Sequence, residues 1–432
     1  MSLTNRDKKF ILHPFTTFSE EQINIPIFSG RKEFLYDENG KEYIDAISSW
    51  WVNLHGHTHP HINQAVKTQI DQLEHVMFSG FTHQPAVDLA EKVLSRLQPY
   101  YSEIFYSDNG STAVEVALKM AIQYWKNQGI EKKKFLAFTN SYHGDTFGSM
   151  SVSERDVFTK PFHKHLFDVE YIEIPTEDNL DRNMELLEQS LKDENIAGFI
   201  FEPLVQAAGG MRMYSAEHLE FLLRLCKDYN VLTIADEVMT GFGRTGKMFA
   251  VDHLQIKPDF ICLSKGLTGG YLPLGITVYN SEISKAFKST ESIKTFYHGH
   301  SFTGNPLSCS AALASLEVFE MENTMDKIKN IHEKHLDFAD KLDSYEVVEN
   351  VRVTGTILAF DIKTTYSEYF YTNPVKKILS DYYLEQGVIL RPLGNVVYIL
   401  PPYCISNESL EKVYSAVLKS IEFVASKLSG HE

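Results

Sequence analysis

Two short stretches hold residues whose types and spacing can do chemistry together. Val231 to Glu237, VLTIADE, is an apolar run of strand type that ends in two acids. Ligands of open α/β sheets bind beyond the carboxyl ends of strands, so Asp236 stands where a ligand would sit. The next strand-like run, Phe260 to Ser264, leads into Ser264-Lys265-Gly266, with Gly269 and Gly270 just beyond. Singly, each has a bland explanation: Asp236 is a solvated acid opening a turn, and Lys265 is a surface lysine. Jointly they meet a specific need. A pyridoxal cofactor requires a lysine amine to condense with its aldehyde. It also requires a carboxylate to keep its pyridine nitrogen protonated, so that the ring can accept electrons from a carbanion. Asp236 and Lys265 can supply both from neighbouring strand ends.

Such a cofactor also carries a phosphate. Ser107 to Thr112, SDNGST, is a polar turn leading straight into helical spacing from Ser111. Free backbone N–H groups and the positive end of a helix dipole bind anions there, which makes Gly110 and Ser111 candidate phosphate contacts. An ordinary helix cap is the competing explanation. Gly299-His300-Ser301 is a second candidate. Tyr142, in Tyr142-His143-Gly144-Asp145 after the run Lys134 to Thr139, can stack on the pyridine face, with Asp145 orienting its surroundings. The alternative is a partly buried tyrosine.

These residues need a scaffold that brings strand ends together. Lys134 to Thr139, Val169 to Ile174, Ala197 to Pro203, Val231 to Asp236, Phe260 to Ser264 and Gly275 to Tyr279 read as buried strands: short, rich in Phe, Ile and Val, and bounded by breakers. Between them lie helical stretches. Ser111 to Asn127 is one, with Val114, Leu118, Ile122 and Trp125 on a common face, and Ala216 to Tyr229 is another. Alternation of this kind predicts an α/β fold, a mostly parallel sheet covered on both faces. The ends read differently. A small antiparallel element is expected within residues 26–47. After Glu322 come a long amphipathic helix, strands around Val351 to Ile362 and Val396 to Leu400, and a last helix from Ser409 to Lys427. The expected division is a large cofactor-binding domain over 49–320 and a smaller α+β domain built from 1–48 and 321–432.

Composition narrows the function. The 432 residues carry 41 basic and 57 acidic side chains, a formal charge of −16, which argues against nucleic acid or an anionic membrane as partner. With 43 % hydrophobic residues the chain can build sizeable cores. Cys226, Cys262, Cys309 and Cys404 form no CxxC pair and read as buried thiols. No metal site is expected. Neither a signal-peptide core nor an apolar run of bilayer length is evident, so a cytoplasmic protein is expected.

The ordered set Thr233 to Gly246 (TIADEVMTGFGRTG), Ser264-Lys265-Gly266 and Gly299 to Pro306 (GHSFTGNP) resembles the class III aminotransferases of the fold type I pyridoxal-phosphate enzymes. The resemblance covers nearly the whole chain. Ser48-Ser49-Trp50-Trp51, with His13-Pro14 and Leu390 to Gly394 (LRPLG), is similar to a narrower branch, the enzymes of biotin synthesis that aminate 8-amino-7-oxononanoate using S-adenosylmethionine. By that resemblance Lys265 is the cofactor lysine, Asp236 the pyridinium partner, and Tyr142 the stacking ring. Gly110 and Ser111 bind the phosphate, and Ser301 contributes from the other subunit of a homodimer with shared active sites. The resemblance implies a substrate pocket formed with Phe15, Trp50, Trp51, Arg244 and Gly299, and Arg391 paired with the substrate carboxylate. The chemistry agrees, since tryptophans offer rigid apolar walls and arginine a bidentate carboxylate partner. Core packing is the alternative for the tryptophans, and if the segment is extended only one of them faces the core. Two positions depart from the branch. Phe15 stands where a tyrosine is usual and lacks its hydroxyl. Gly299-His300-Ser301 replaces Gly-Pro-Thr and keeps one. The other readings are the same acceptor with lysine as donor, an ω-amino-acid aminotransferase, or a silent pyridoxal-binding regulator, which would need a basic DNA-binding module.

Overall fold

The computed structural model describes residues 2–17, 24–156, 159–364 and 373–429. A seven-stranded sheet runs Tyr101–Ser107, Gly275–Asn280, Phe260–Leu263, Leu232–Asp236, Ile196–Phe201, Lys134–Phe138, Val169–Ile172. All pairings are parallel except those of Gly275–Asn280, which is antiparallel to both neighbours. Six of these strands lie where the apolar runs predict them. The seventh, Tyr101–Ser107, is an edge strand that no apolar run announced.

Strand side chains alternate between faces, and the two cores divide accordingly. Phe135, Ala137, Ile200, Ile234 and Phe260 pack under the helix Gly110–Asn127. Leu136, Phe138, Phe199, Phe201, Ala235 and Ile261 face the other way, against apolar residues of Leu180–Leu191 and Ala216–Asp228. A sheet covered on both faces makes its strands apolar throughout, which is why they read as continuous runs. The helix Gly110–Asn127 buries Val114, Leu118 and Trp125 as expected. Ile122 does not join them, standing 38 % exposed. The buried set is instead broadened by small residues, Ala113, Ala117 and Ala121, which let the helix lie close to the sheet.

Three smaller sheets complete the described residues. Ile27–Arg31, Phe34–Asp37 and Glu42–Asp45 form an antiparallel meander, as expected, and Val388–Ile389 from the far end of the chain pairs parallel with its last strand. Val348–Thr354, Ile357–Ile362 and Val396–Ile399 form an antiparallel sheet, and Val205–Gln206 pairs with Arg212–Met213. The long helices Thr324–Leu342 and Asn407–Ser429 close the C-terminal part. No helix among the described residues is long and apolar enough to cross a membrane.

Candidate active site

Five strands deliver polar residues to one edge of the large sheet. Asp236 ends its strand, Lys265 follows Phe260–Leu263, Glu202 follows Ile196–Phe201, Tyr142 follows Lys134–Phe138, and Gly110 follows Tyr101–Ser107. All five line one cavity of about 420 Å³. A second cavity of about 530 Å³ shares Trp51, Val52, Tyr142, Gly144 and Lys265 with it, and adds Phe15, Trp50 and Leu393. Volumes of this order suit a cofactor and a substrate side by side.

Asp236 and Lys265 come from adjacent parallel strands, Asp236 lying opposite Cys262 in the register. The Asp236 carboxylate is buried. It accepts from Val238 N at 3.0 Å and meets His143 Nδ1 at 2.7 Å. Lys265 is half-buried, with its Nζ 4.5 Å from the centre of the Trp51 ring. Burial pushes the amine down to about 8, with the negative charges of Asp236 and Glu202 opposing the shift. Glu202 accepts from Tyr142 N at 3.1 Å and Ala207 N at 2.9 Å, and burial lifts its carboxyl to about 7. Tyr142 donates to Asp145 Oδ2 at 2.9 Å, the orienting contact expected of Asp145.

Gly110 and Ser111 open the helix Gly110–Asn127. A reciprocal cap holds that end: Thr112 N donates to Asn109 Oδ1 at 3.0 Å and Asn109 N reaches Thr112 Oγ1 at 3.1 Å. The cap and the anion-site readings therefore coexist, since Asn109 takes up only one of the free N–H groups. Two glycines keep the space open. A Cβ on Gly110 would stand 2.6 Å from Val238 Cγ1, and one on Gly144, whose φ is +125°, would overlap Ser111 Oγ. Two buried polar atoms of the wall, His143 Nε2 and Thr240 Oγ1, have no partner among the described residues. A small cradle with a helix end, an amine, a carboxylate and spare polar atoms fits a phosphorylated pyridine aldehyde.

The tryptophans adopt a backbone that sequence reasoning did not foresee. Ser48, Ser49, Trp50 and Trp51 are not extended but take φ of 51°, 45°, 67° and 73°. L-residues avoid this left-handed region by about 1–2 kcal/mol each. The turn sends the two rings to different places. Trp51 is buried and donates to Tyr398 Oη at 3.1 Å, so it is both core and wall of the lysine site. Trp50 is half-buried, with the Phe15 ring edge-on at 5.4 Å and the Arg391 guanidinium 4.1 Å above it. Arg391 also donates to Phe15 O at 3.4 Å, so at rest it packs on the pocket wall.

Arg244 corrects an expectation. Although read as a substrate residue near the pocket, it is 1 % exposed and lines neither cavity. Its guanidinium donates to Pro401 O at 2.9 Å, Asn53 O at 3.2 Å and Trp51 O at 3.3 Å, and lies over the Tyr403 ring. A buried arginine has to spend its donors on carbonyls, and two of these carbonyls belong to the tryptophan turn and the segment just after it. Gly299 and Ser301 are exposed on a loop away from both cavities of their own chain. Sequence reasoning passed over His143 as partner of Asp236, and Glu202. The signal for Glu202 was present, an apolar run ended by an acid, as at Asp236.

A doubly covered sheet with a ligand cradle at its carboxyl edge and a lysine facing a carboxylate defines a fold type I pyridoxal-phosphate transferase. Comparison with known proteins narrows the class. The aminotransferase class-III profile matches residues 16–421. An adenosylmethionine-8-amino-7-oxononanoate aminotransferase of Synechococcus elongatus is 45 % identical over 412 residues, covering 94 % of this chain and 96 % of that protein. The crystal structure of the protein of that name from Methanocaldococcus jannaschii superposes with a TM-score of 0.92 at 37 % identity, covering 97 % of this chain and 98 % of that one. An omega transaminase from Pseudomonas jessenii in complex with PMP gives a TM-score of 0.94 at 26 % identity, over 99 % of both chains. The chain belongs to the class III aminotransferases, and its cofactor is pyridoxal 5′-phosphate.

Proposed function

We propose that this aminotransferase moves an amino group from S-adenosylmethionine to 8-amino-7-oxononanoate, giving 7,8-diaminononanoate for biotin synthesis. The observation that carries the reading is near full-length similarity to proteins named for that donor and acceptor. The outer cavity supports it. Phe15, Trp50, Trp51 and Leu393 offer apolar walls for a long chain, and Asp145 and Glu154 offer negative charge for an ammonium or a sulfonium.

When bound, pyridoxal phosphate supplies an aldehyde for the amine and a ring that accepts the electron pair left on the substrate carbon. In the reading proposed here, the chain's own residues do the rest. Lys265 Nζ, whose pKa of about 8 leaves a usable fraction unprotonated near neutrality, takes the proton from the donor Cα. In the second half-reaction it returns a proton to the carbon that becomes amine-bearing. Asp236 holds positive charge on the pyridine nitrogen, and His143 behind it fixes the carboxylate. Tyr142 would cover one face of the ring, and the Gly110 and Ser111 end of the helix would hold the phosphate. Trp51 excludes water from the amine, and Arg391 swings from Trp50 to the substrate carboxylate.

The same proposal includes a cytoplasmic homodimer in which Ser301 and Gly299 serve the partner's site. The exposure of that loop, away from its own chain's cavities, supports this. The proposal also divides the chain into 49–320 and a unit built from both termini, a division that the pairing of Glu42–Asp45 with Val388–Ile389 supports. A half-reaction screen tests the function. Cofactor absorbance should change with S-adenosylmethionine and recover with 8-amino-7-oxononanoate. A response to lysine alone would reassign the donor, and no recovery with the keto acid would overturn the acceptor. Sedimentation at assay concentration should give a dimer, and a fully active monomer would contradict it.

A further inference from the structure

The left-handed turn Ser48–Trp51 is improbable in isolation, because such a run persists only where its surroundings over-determine it. Its surroundings converge on one carboxylate. Asp45 ends the strand Glu42–Asp45 and is fully buried. Its Oδ1 accepts from Ser49 N at 2.9 Å and Ile47 N at 3.4 Å. Its Oδ2 accepts from Ser49 Oγ at 2.7 Å and His57 Nε2 at 3.0 Å. Behind it, Asn53 Nδ2 donates to His57 Nδ1 at 3.0 Å, which leaves Nε2 as the ring's donor toward Asp45. Asn53 Oδ1 in turn accepts from Gly56 N at 2.7 Å. A closed chain of donors and acceptors thus runs from the loop after the tryptophans back to the residue before them.

We propose that Asp45 is a positioning residue of this active site: with His57 behind it, its carboxylate holds the left-handed turn and so sets Trp51 over Lys265 and Trp50 on the substrate cavity. Asp45 lines neither cavity, so it touches neither substrate nor cofactor and acts only through the turn. Four acceptor contacts on one carboxylate explain why the position needs an acid. An asparagine presents a single oxygen and would turn a donor toward Ser49 Oγ and His57. The proposal rests on the aminotransferase reading for its kinetic arm only.

The test uses holoenzyme of wild type, Asp45→Asn and Ser49→Ala, the second removing only the hydroxyl bond. Asp45→Asn is expected to retain cofactor and circular dichroism. It should raise KM for the keto acid by roughly tenfold to a hundredfold, the loss of one or two bonds to a charged acceptor, with a smaller effect on kcat. Ser49→Ala should shift the same parameters in the same direction by less. Tryptophan emission should change in both, since Trp50 and Trp51 are two of the three tryptophans. Adding Trp50→Ala should make the Asp45→Asn effect on KM largely disappear, because the two act through one element. Wild-type KM and emission in both variants would overturn the proposal. So would equal losses of thermal stability and activity with an unchanged KM, the mark of a residue that serves only the fold. If Asp45→Asn fails to fold, Ser49→Ala decides by the same readouts. A wild type inert toward 8-amino-7-oxononanoate would sink the functional reading but leave the emission arm intact.

Discussion

Replacing Lys265 with methionine in the cofactor-free protein tests the site's electrostatics without any turnover. Burial takes the Lys265 amine from its ordinary 10.5 to about 8. The folded pKa therefore lies below the unfolded one. Between these two values the unfolded chain binds a proton that the folded chain does not, so stability rises with pH across that window. Integrated from about pH 7 to about pH 9.5, one such group adds about 2 kcal/mol to the stability of the wild type. Lys265→Met keeps the length of the stem and removes the titrating amine, while every other group stays in place. Urea unfolding of both proteins, freed of pyridoxal phosphate, should then show the wild type gaining about 2 kcal/mol on the variant between the two pH values. Glu202 and Glu237, which burial lifts to about 7 and about 8, lose stability as pH rises toward those values, but they do so in both proteins and cancel in the difference. Parallel pH curves would mean that the amine is hydrated in the folded protein, and the account of a dry lysine facing Trp51 would fail.

Asp236→Asn should keep the cofactor but lower transamination by roughly 10²–10⁴, since an amide cannot hold the pyridine nitrogen protonated; single-turnover absorbance checks it. Arg391→Ala should weaken donor and acceptor together by about 2 kcal/mol each, the low end for a carboxylate pair because the side chain is only half-buried, with the cofactor spectrum unchanged in separate titrations. Loss of cofactor with unchanged substrate affinity would make Arg391 structural. Gly144→Ala forces a Cβ into Ser111 Oγ at a φ of +125°, so pyridoxal phosphate affinity should fall by about 1–3 kcal/mol, read by titration, while circular dichroism stays that of wild type.

What the sequence disclosed and what it hid divide along one physical line. Asp236 and Lys265 were legible because each ends a strand buried on both faces, and such strands write themselves as apolar runs that a charge interrupts. Tyr101–Ser107 was missed because it is an edge strand, with Glu103 and Ser102 diluting its pattern. The reversed direction of Gly275–Asn280 was hidden because apolarity carries no direction. The clue was the connection from Lys265, which holds one short turn, Lys265–Thr268, and no crossover helix. The tryptophan turn could not be read at all. Ser48-Ser49-Trp50-Trp51 contains no glycine or asparagine to signal positive φ, and although Asp45 stands close by in sequence, the turn's other partners lie far along the chain: Leu400 O for Ser48, Tyr398 for Trp51, and Arg244 for the Trp51 carbonyl. Arg244 was misread for the same reason, since its neighbours in sequence share a motif with Asp236 while its guanidinium serves a backbone almost two hundred positions away. The lysine and its carboxylate are thus fixed by local pattern. The cavity walls beside them, Trp50 and Trp51, stand on a strained turn that depends as well on contacts from far along the chain, which no local pattern records.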